Sequence, residues 1–415
     1  MKNTKAFSKH RKGDGVMEEH KVITPTRDEY IQLATSLAKF DRRTEVVSLR
    51  DSVGRVTAKD IYSVNTLPNQ PTSAMDGIAV RFEEITSKDV DTTTWELGKQ
   101  YVFSNTGVAI PAEYDTAIPI EQVEFDTDNK LHIKQIPSHK GDRIVSRGNI
   151  MKEGDLLVPA NYLITPLQLG VLASGGIYEL EVIAKPKVAI VPTGNELVPA
   201  GGVLPLGKNV ETNSIVVETF VKEWGGEPIV YPIIPDDPDY IYDTLCHALK
   251  RSDMVIYNAG FSKGTHDFGK SILAKIGKVY AFEVAHGPAK HTSLTVVNDK
   301  LIIGIVGPPG GAELTIPWYV KPLINKYLCK PNIEAPQLEV KLLNGVKMTP
   351  PFDFYIQVQV AKQDEQYVAT VLRGPDATRV KTAVDANAIL CAKAGNSYRE
   401  GDMVTVELKT PIEYI

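Results

Sequence analysis

The sequence predicts a modular chain of the α/β and β classes, with a strand-rich N-terminal region, a doubly wound α/β domain and a small C-terminal β domain. Three observations lead there. The chain has 415 residues, too many for one ordinary hydrophobic core. From Lys185 onward, apolar strand-like runs alternate with helical segments, the pattern of a parallel sheet covered on both faces. Beyond Pro336, Ile356, Val358 and Val360 alternate with Gln357 and Gln359 in the half-buried β pattern.

Taken in order, the first stretch, Met1 to Gly15, is polar and basic without an apolar core, so residues 1–22 read as a disordered tail rather than a signal or membrane segment. Thr26 followed by Glu29 forms a capping-box pattern, and Tyr30, Leu33, Ala34 and Leu37 recur at helical spacing. A helix is expected from about Arg27 to Phe40. From Glu45 to Val182 the runs are short, β-branched and broken by Gly and Pro, as in Val46–Leu49, Tyr101–Phe103 and Leu131–Lys134. In the α/β part, Lys187–Val191, Pro228–Tyr231 and Met254–Tyr257 read as strands, with helices expected from about Ser214 to Trp224 and Tyr240 to Lys250.

Composition narrows the function classes. Hydrophobic residues make up 43% and charged residues 23%, the balance of a soluble globular chain. A formal charge of -5 gives no global attraction for nucleic acid or anionic lipid, so neither is expected as a partner and an anionic ligand needs a local cluster. Cys246, Cys329 and Cys391 are far apart and outside any CxxC pattern, which argues against a disulfide framework and fits a reducing cytoplasm.

In a doubly wound sheet the ligand sits beyond the carboxyl ends of the strands, so the loops there carry the candidates. Thr193-Gly194-Asn195-Glu196-Leu197 offers close backbone approach at Gly194 and a carboxylate at Glu196, or is simply a tight turn. Asp236 and Asp237 precede Pro238 at a helix start and bind a hard cation or cap the helix. The loop Asn258 to Asp267 combines Gly260 and Gly264 with Ser262, Lys263 and Asp267. That mixture suits oxyanions and Mg²⁺, with helix capping an equal alternative for Asp267. Its Gly260-Phe261-Ser262-Lys263-Gly264 also matches the nucleophile elbow of serine hydrolases, with His286 or His291 as base, although Thr265 to Asp267 suggest a loop longer than an elbow allows. Gly304 to Gly311 links a strand to a helix, and Lys290 and His291 can lend positive charge to the same cleft. Asp76, in Ser73-Ala74-Met75-Asp76-Gly77, reads alone as a turn residue.

Together, the order and spacing of these segments resemble the molybdopterin molybdenumtransferase family (MoeA and the gephyrin E-domain) from about residue 22 onward. Leu67-Pro68 through Ser73-Ala74-Met75-Asp76-Gly77-Ile78-Ala79-Val80 resembles the family's S-A-M-D-G-Y-A-V signature, whose Asp is catalytic. Thr106-Gly107 with Pro111, Asp115 and Glu121 resembles T-G-A-x-x-P-x-G-A-D. Thr193–Leu197 resembles T-G-D-E-L, Glu211–Ser214 resembles D-S-N-S, Asp236 matches the first residue of a D-D pair, and Gly260–Asp267 resembles G-V-S-x-G-x-x-D. Lys290 matches the second lysine of K-P-G-K-P and Pro309 the second proline of L-P-G-N-P.

The resemblance implies that Asp76, Glu196, Asp236 and Asp267 are catalytic, with Glu196, Asp236 and Asp267 holding Mg²⁺. It places Thr106, Gly194, Asn195, Gly260, Ser262, Lys263, Gly264, Lys290 and Pro309 on substrate. The implied reaction inserts molybdate, or tungstate, into adenylylated molybdopterin with release of AMP. The implied architecture is an elongated four-domain homodimer with clefts assembled across the dimer. Its α/β molybdopterin-binding domain covers residues 23–43 and 185–332. Two strand-rich N-terminal domains cover 44–62 with 153–184, and 63–152, and the C-terminal β domain covers 335–415. Molybdopterin adenylyltransferase and cofactor-accepting enzymes are implied partners.

The chain departs from the family at several of these positions. Ile150 stands in place of the Asp of R-x-x-G-x-D, Asn195 replaces the Asp of T-G-D-E-L, Gly287 replaces the first Lys of K-P-G-K-P, and Val306 and Pro308 break L-P-G-N-P. A lost Lys beside an anion removes a charge-assisted hydrogen bond worth about 1.5 to 3 kcal/mol. The departures therefore admit a second reading, a non-catalytic carrier, sensor or scaffold that binds molybdopterin or molybdate.

Overall fold

Thr26 and Glu29 do what their spacing predicts. The Glu29 N–H donates to Thr26 Oγ1 at 3.3 Å and the Thr26 N–H donates to the Glu29 carboxylate at 2.8 Å, which satisfies two donors that a helix start leaves unpaired. Helix α1 (Arg27–Leu37) follows; it ends before the expected Phe40 because Ala38 is already extended. The computed structural model describes residues 21–86, 90–258, 269–347, 350–373 and 378–414. Residues 1–20 of the expected tail lie outside the described residues, and Ile23 is already bridged to Ala281.

The chain forms two compact units. One joins the N-terminal segment up to Asp41 with Lys185–Tyr327 and the chain from Pro331 on; the other comprises Arg42–Ala184 and Leu328–Lys330.

In the first unit, β1 (Lys187–Pro192), α2 (Asn213–Glu223), β2 (Glu227–Val230), α3 (Pro238–Arg251), β3 (Met254–Asn258), α4 (Gly269–Ile276), β4 (Lys278–Ala281), β5 (His286–Gly287), β6 (Ser293–Val297) and β7 (Lys300–Ile305) follow one another. Six of these strands form a sheet in the order β2-β1-β3-β7-β6-β4. The first four run parallel, as expected from the alternation, but β6 and β4 are antiparallel. The cause is local. Only Asn298 and Asp299, with φ of 47° and 66°, separate β6 from β7, and a two-residue turn of that kind closes a hairpin, whereas a parallel crossover needs a dozen residues or more. Ala189, Val191, Val255, Tyr257 and Ile302 pack with Ile241 and Leu245 of α3 and Ile272 and Leu273 of α4.

Helices α5 (Pro309–Tyr319) and α6 (Lys321–Tyr327) lead to a second body of the same unit, made of β8 (Gln337–Leu342), β9 (Asp353–Gln363), β10 (Gln366–Val371), α7 (Arg379–Asp385), β11 (Ala388–Ala392) and β12 (Met403–Leu408). Its strands pair as β9-β10-β8-β12-β11 and return to β9, a closed five-stranded barrel. The expected alternation is its inner face: Ile356, Val358 and Val360 are buried with Val340, Leu390 and Val406. Closure removes the open edges that invite unwanted pairing. Short β5 then pairs with the start of β9, His286 opposite Asp353 and Gly287 opposite Phe354.

A polar and aromatic junction fastens α1 to this barrel. Arg27 Nη1 donates to both oxygens of Glu407 at 2.8 Å, and its guanidinium lies 5.1 Å from the Trp318 ring centre and 5.0 Å from that of Tyr355. The planar group can satisfy a carboxylate and lie over two rings at once, which an ammonium does less well. His286 packs against Trp318 and Tyr355 and bonds through Nε2 to the Tyr319 hydroxyl. Tyr30 completes the layer, its ring 4.2 Å from that of Tyr319 and its hydroxyl donating to the Ser293 carbonyl at 2.9 Å.

The second unit has two cores. Strand Gly77–Val80 runs between Tyr101–Ser104 and Thr116–Pro119, antiparallel to both, and Ile78, Val80, Tyr101, Ile118 and Leu131 fill the first core. The ends of the unit pair with each other, Thr44–Ser48 against Glu179–Ile183, beside the second core of Ile61, Val158, Ile164, Leu172 and Val182.

Two outcomes follow from the junction. Arg27→Met leaves Glu407 without its cation and is expected to lower unfolding free energy by roughly 3 kcal/mol, read by urea melts; a double variant with Glu407→Gln should recover part of that loss. Burial drives the His286 pKa from 6.5 down to about 4, so on acidification the unfolded chain takes up this proton first. The stability His286 contributes is complete above about pH 6.5 and is lost between pH 6.5 and 4. Thermal midpoints measured across that range should fall less steeply in His286→Gln.

Candidate functional site

In the first unit the sheet order reverses between β1 and β3: β1 is followed by β2 on one side, and the chain then crosses to β3 on the other. A crevice opens beyond the carboxyl ends of strands at such a point. There the Thr193 N–H and hydroxyl both donate to the Asn258 carbonyl, at 3.0 and 3.1 Å, which ties the end of β1 to the end of β3. Asn213, at the start of α2, is buried and donates through Nδ2 to Asn258 Oδ1 at 3.2 Å, the Val306 carbonyl at 3.3 Å and the Gly307 carbonyl at 3.0 Å, so β7 joins the same knot.

The carboxylates stand on this floor. Asp236 Oδ2 accepts the Asn195 N–H at 3.1 Å, and Asn195 Oδ1 accepts the Asp236 N–H at 3.3 Å. Asp237 takes the other reading, capping α3 by accepting the Tyr240 N–H at 2.8 Å. Glu196 is exposed and folds back over Gly194, where an added Cβ would lie 2.8 Å from its Oε2. Lys208 Nζ donates to the Asn195 carbonyl at 2.8 Å. Pro309 opens α5 just beyond Gly307. Gly260, Ser262, Lys263, Gly264 and Asp267 lie outside the described residues. Among the described residues no group of three or more His, Cys, Asp and Glu is placed to hold a metal ion.

Lys290 does not project alone. Its Nζ is 3.4 Å from Glu283 Oε2, in a cluster with His291 and Lys270. The hydrolase alternative finds no support in its bases: His286 is buried against Tyr319, and His291 faces Glu283.

The second unit presents Asp76 at the start of strand Gly77–Val80. Oδ1 accepts the Thr106 N–H at 2.8 Å and the Thr106 hydroxyl at 3.2 Å, while Oδ2 has no partner among the described residues. Thr106 therefore positions Asp76. Asp115 is structural: it accepts the Phe82 N–H at 2.8 Å and pairs with Lys140 at 3.1 Å. Burial pushes its pKa up, but these partners outweigh it and hold the carboxyl below its ordinary range. Ile150, 71% exposed, follows a turn whose N–H groups bond back to Leu67 and Pro68. A recess of about 410 Å³ beside Gln70, Ile110 and Tyr114 includes neither Asp76 nor Thr106.

The chain is similar to known proteins. The family model for the MoeA N-terminal region (domain I and II) matches residues 9–176, and that for a probable molybdopterin binding domain matches residues 189–326. The molybdopterin molybdenumtransferase of Haemophilus influenzae is 30% identical over 302 residues, 69% of this chain and 74% of that protein. The chain belongs to the molybdopterin molybdenumtransferase family. Another member, from Bacillus subtilis, is 29% identical over 385 residues, 88% of this chain and 90% of its own. A solved structure of the molybdopterin biosynthesis MoeA protein from Pyrococcus horikoshii superposes with a TM-score of 0.76 at 25% identity, covering 94% of this chain and all of that one; a second, at 24% identity and a TM-score of 0.69, shares the fold.

Within this molybdenumtransferase-family chain, Asn213, Lys208 and Glu283 escaped the sequence reading. Asn213 lies inside the quoted Glu211–Ser214 segment and was readable as a buried polar residue at a helix start. Lys208 and Glu283 carry no such signal. Glycine at 77 is forced: a Cβ there would lie 1.9 Å from the Ile118 carbonyl oxygen. Gly77→Ala is thus expected to cost several kcal/mol, roughly 3 or more, with soluble yield and urea midpoint falling together; an unchanged midpoint would contradict the close approach.

Proposed function

We propose that the protein inserts molybdate into adenylylated molybdopterin and releases AMP, as a transferase of molybdenum cofactor biosynthesis. The observation that carries the reading is the crevice at the reversal point, where Asn213, Asn258 and Thr193 bind three strand ends together and Glu196 and Asp236 stand at its rim. Relatives named molybdopterin molybdenumtransferase along most of the chain support it.

Mg²⁺ suits this donor set. It favours one or two carboxylates and completes its shell with water and substrate phosphate; the Glu196 carboxylate and Asp236 Oδ1 make no hydrogen bond or ion pair among the described residues. These two residues would hold the ion, which supplies positive charge to the phosphoanhydride that is cleaved. Asp76 offers an acceptor-only oxygen for a substrate or water proton, with Thr106 fixing its orientation. Tungstate has the same charge and shape as molybdate and is an alternative cargo.

A homodimer would give cover to exposed apolar side chains of the second unit, among them Leu167 at 83%, Tyr178 at 80% and Val64 at 62%. Three free cysteines and the lack of any described helix long and apolar enough to cross a membrane are compatible with the cytoplasm. There, molybdopterin adenylyltransferase would supply the substrate and cofactor-accepting enzymes would take the product. The competing reading, a non-catalytic binder, is favoured by Gly287, whose added Cβ would lie 2.5 Å from the Phe354 ring, so this site has no room for the family lysine without movement.

AMP release from adenylylated molybdopterin with Mg²⁺ and either molybdate or tungstate separates the two. Release that depends on the oxyanion and falls roughly a hundredfold in Asp76→Ala is the expected result. Tight pterin binding without release would establish the binder.

A further inference from the structure

Four side chains of the first unit meet where the chain leaves β4. Glu283 Oε1 lies 3.2 Å from His291 Nδ1 and 3.9 Å from Lys270 Nζ, and Oε2 lies 3.4 Å from Lys290 Nζ. Backbone geometry brings them together. The Val284 N–H donates to the Lys290 carbonyl at 2.8 Å, closing the loop between Glu283 and Lys290. The next anchor is Thr292, fully buried, whose hydroxyl donates to the Ala289 carbonyl at 2.9 Å. Lys270, near the start of α4, lies 5.7 Å from the Phe282 ring centre, and Lys290 lies 5.7 Å from that of Phe352, which keeps both ammoniums near their places.

The charges do not balance. Two ammoniums and an imidazole surround one carboxylate, and no other acidic side chain among the described residues pairs with any of the three. Burial disfavours the Glu283 anion, yet Lys290, His291 and Lys270 hold its pKa below the ordinary value. Like charges so close repel one another unless anions intervene. A Lys ammonium has three donors, and Glu283 engages Lys290 through one carboxylate oxygen. An arriving oxyanion and Glu283 are both pure acceptors, so they compete for the same donors.

We propose that Glu283 is an internal counter-anion of an oxyanion subsite formed by Lys290, His291 and Lys270, and that its competition with the incoming tetrahedral dianion sets how tightly cargo is held. This rests on the transferase reading for the class of ligand alone. The device makes Glu283 a specificity-determining residue, one that lowers affinity for the cargo rather than raising it. His291 stands next to Lys290 and adds a ring nitrogen 3.2 Å from Glu283, and Lys270 supplies the cluster's second ammonium, which Gly287 cannot.

The test is equilibrium binding of molybdate and of tungstate to the full chain, by titration calorimetry, without pterin or Mg²⁺. Glu283→Gln, which keeps the shape and removes the charge, should bind roughly tenfold tighter than the unaltered protein. The gain should disappear when Lys290→Met is added. A Glu283 that merely supports the fold would give equal or weaker binding in Glu283→Gln, which overturns the proposal. A gain that survives Lys290→Met overturns it too, as does undetectable binding by both proteins at millimolar oxyanion. AMP release by the unaltered protein is read separately, so failure of the counter-anion is distinguishable from failure of the transferase reading.

Discussion

Asn213 buries a side-chain amide with two protons and offers them to three acceptors, Asn258 Oδ1 and the carbonyls of Val306 and Gly307. One proton is shared, and the arrangement holds because leaving such a group unpaired in the interior costs more than bending its bonds. Thr193 fastens to the Asn258 carbonyl from the other side. The ends of β1, β3 and β7 are consequently fixed to one another through side chains as well as through the sheet. Everything beyond them, from Glu196 on its glycine to Pro309 at the start of α5, inherits that placement.

The departures from the family's motifs remove charge. Asn195 loses a negative charge but retains an acceptor oxygen, and that oxygen is the one receiving the Asp236 N–H. Gly287 loses a cation, and the space is taken by the ring of Phe354, opposite it across the β5–β9 ladder. Ile150 keeps a turn tied to Leu67 while carrying an apolar side chain into solvent. At Asn195 and Gly287 neighbouring atoms close the position, whereas Ile150 stands in solvent.

Much of this was legible in the sequence because it depends on local rules. The capping box at Thr26, the strand at Lys187 and the alternation around Val358 follow from hydrogen-bond needs of helix ends and from burial period, and they stand where expected. The antiparallel edge was harder to see, since β-branched runs read alike in either direction and only the two residues Asn298 and Asp299 decide the matter. Asp76 and Thr106 were read from a family motif, but that the threonine orients the aspartate needed coordinates, because thirty positions separate them. Glu283 was invisible for a similar reason: its meaning comes from two lysines and a histidine at other positions, one of the lysines on α4.

The first unit is discontinuous in the chain, and this has a temporal side. Helix α1 leaves the ribosome before any of the surfaces it packs on, since Ser293, Trp318, Tyr319 and Glu407 are all synthesised after Arg42–Ala184. A segment that is contiguous in sequence can fold as it emerges, so Arg42–Ala184, all of the second unit but Leu328–Lys330, can pair Thr44–Ser48 with Glu179–Ile183 while α1 waits. The Arg27 guanidinium then lacks its carboxylate until the last strand of the barrel is made, whereas Ser293 and Tyr319 reach Tyr30 earlier. The nascent protein thus carries its earliest helix as a late piece of the puzzle, and interruption of synthesis anywhere before β12 leaves that helix without the carboxylate that anchors it.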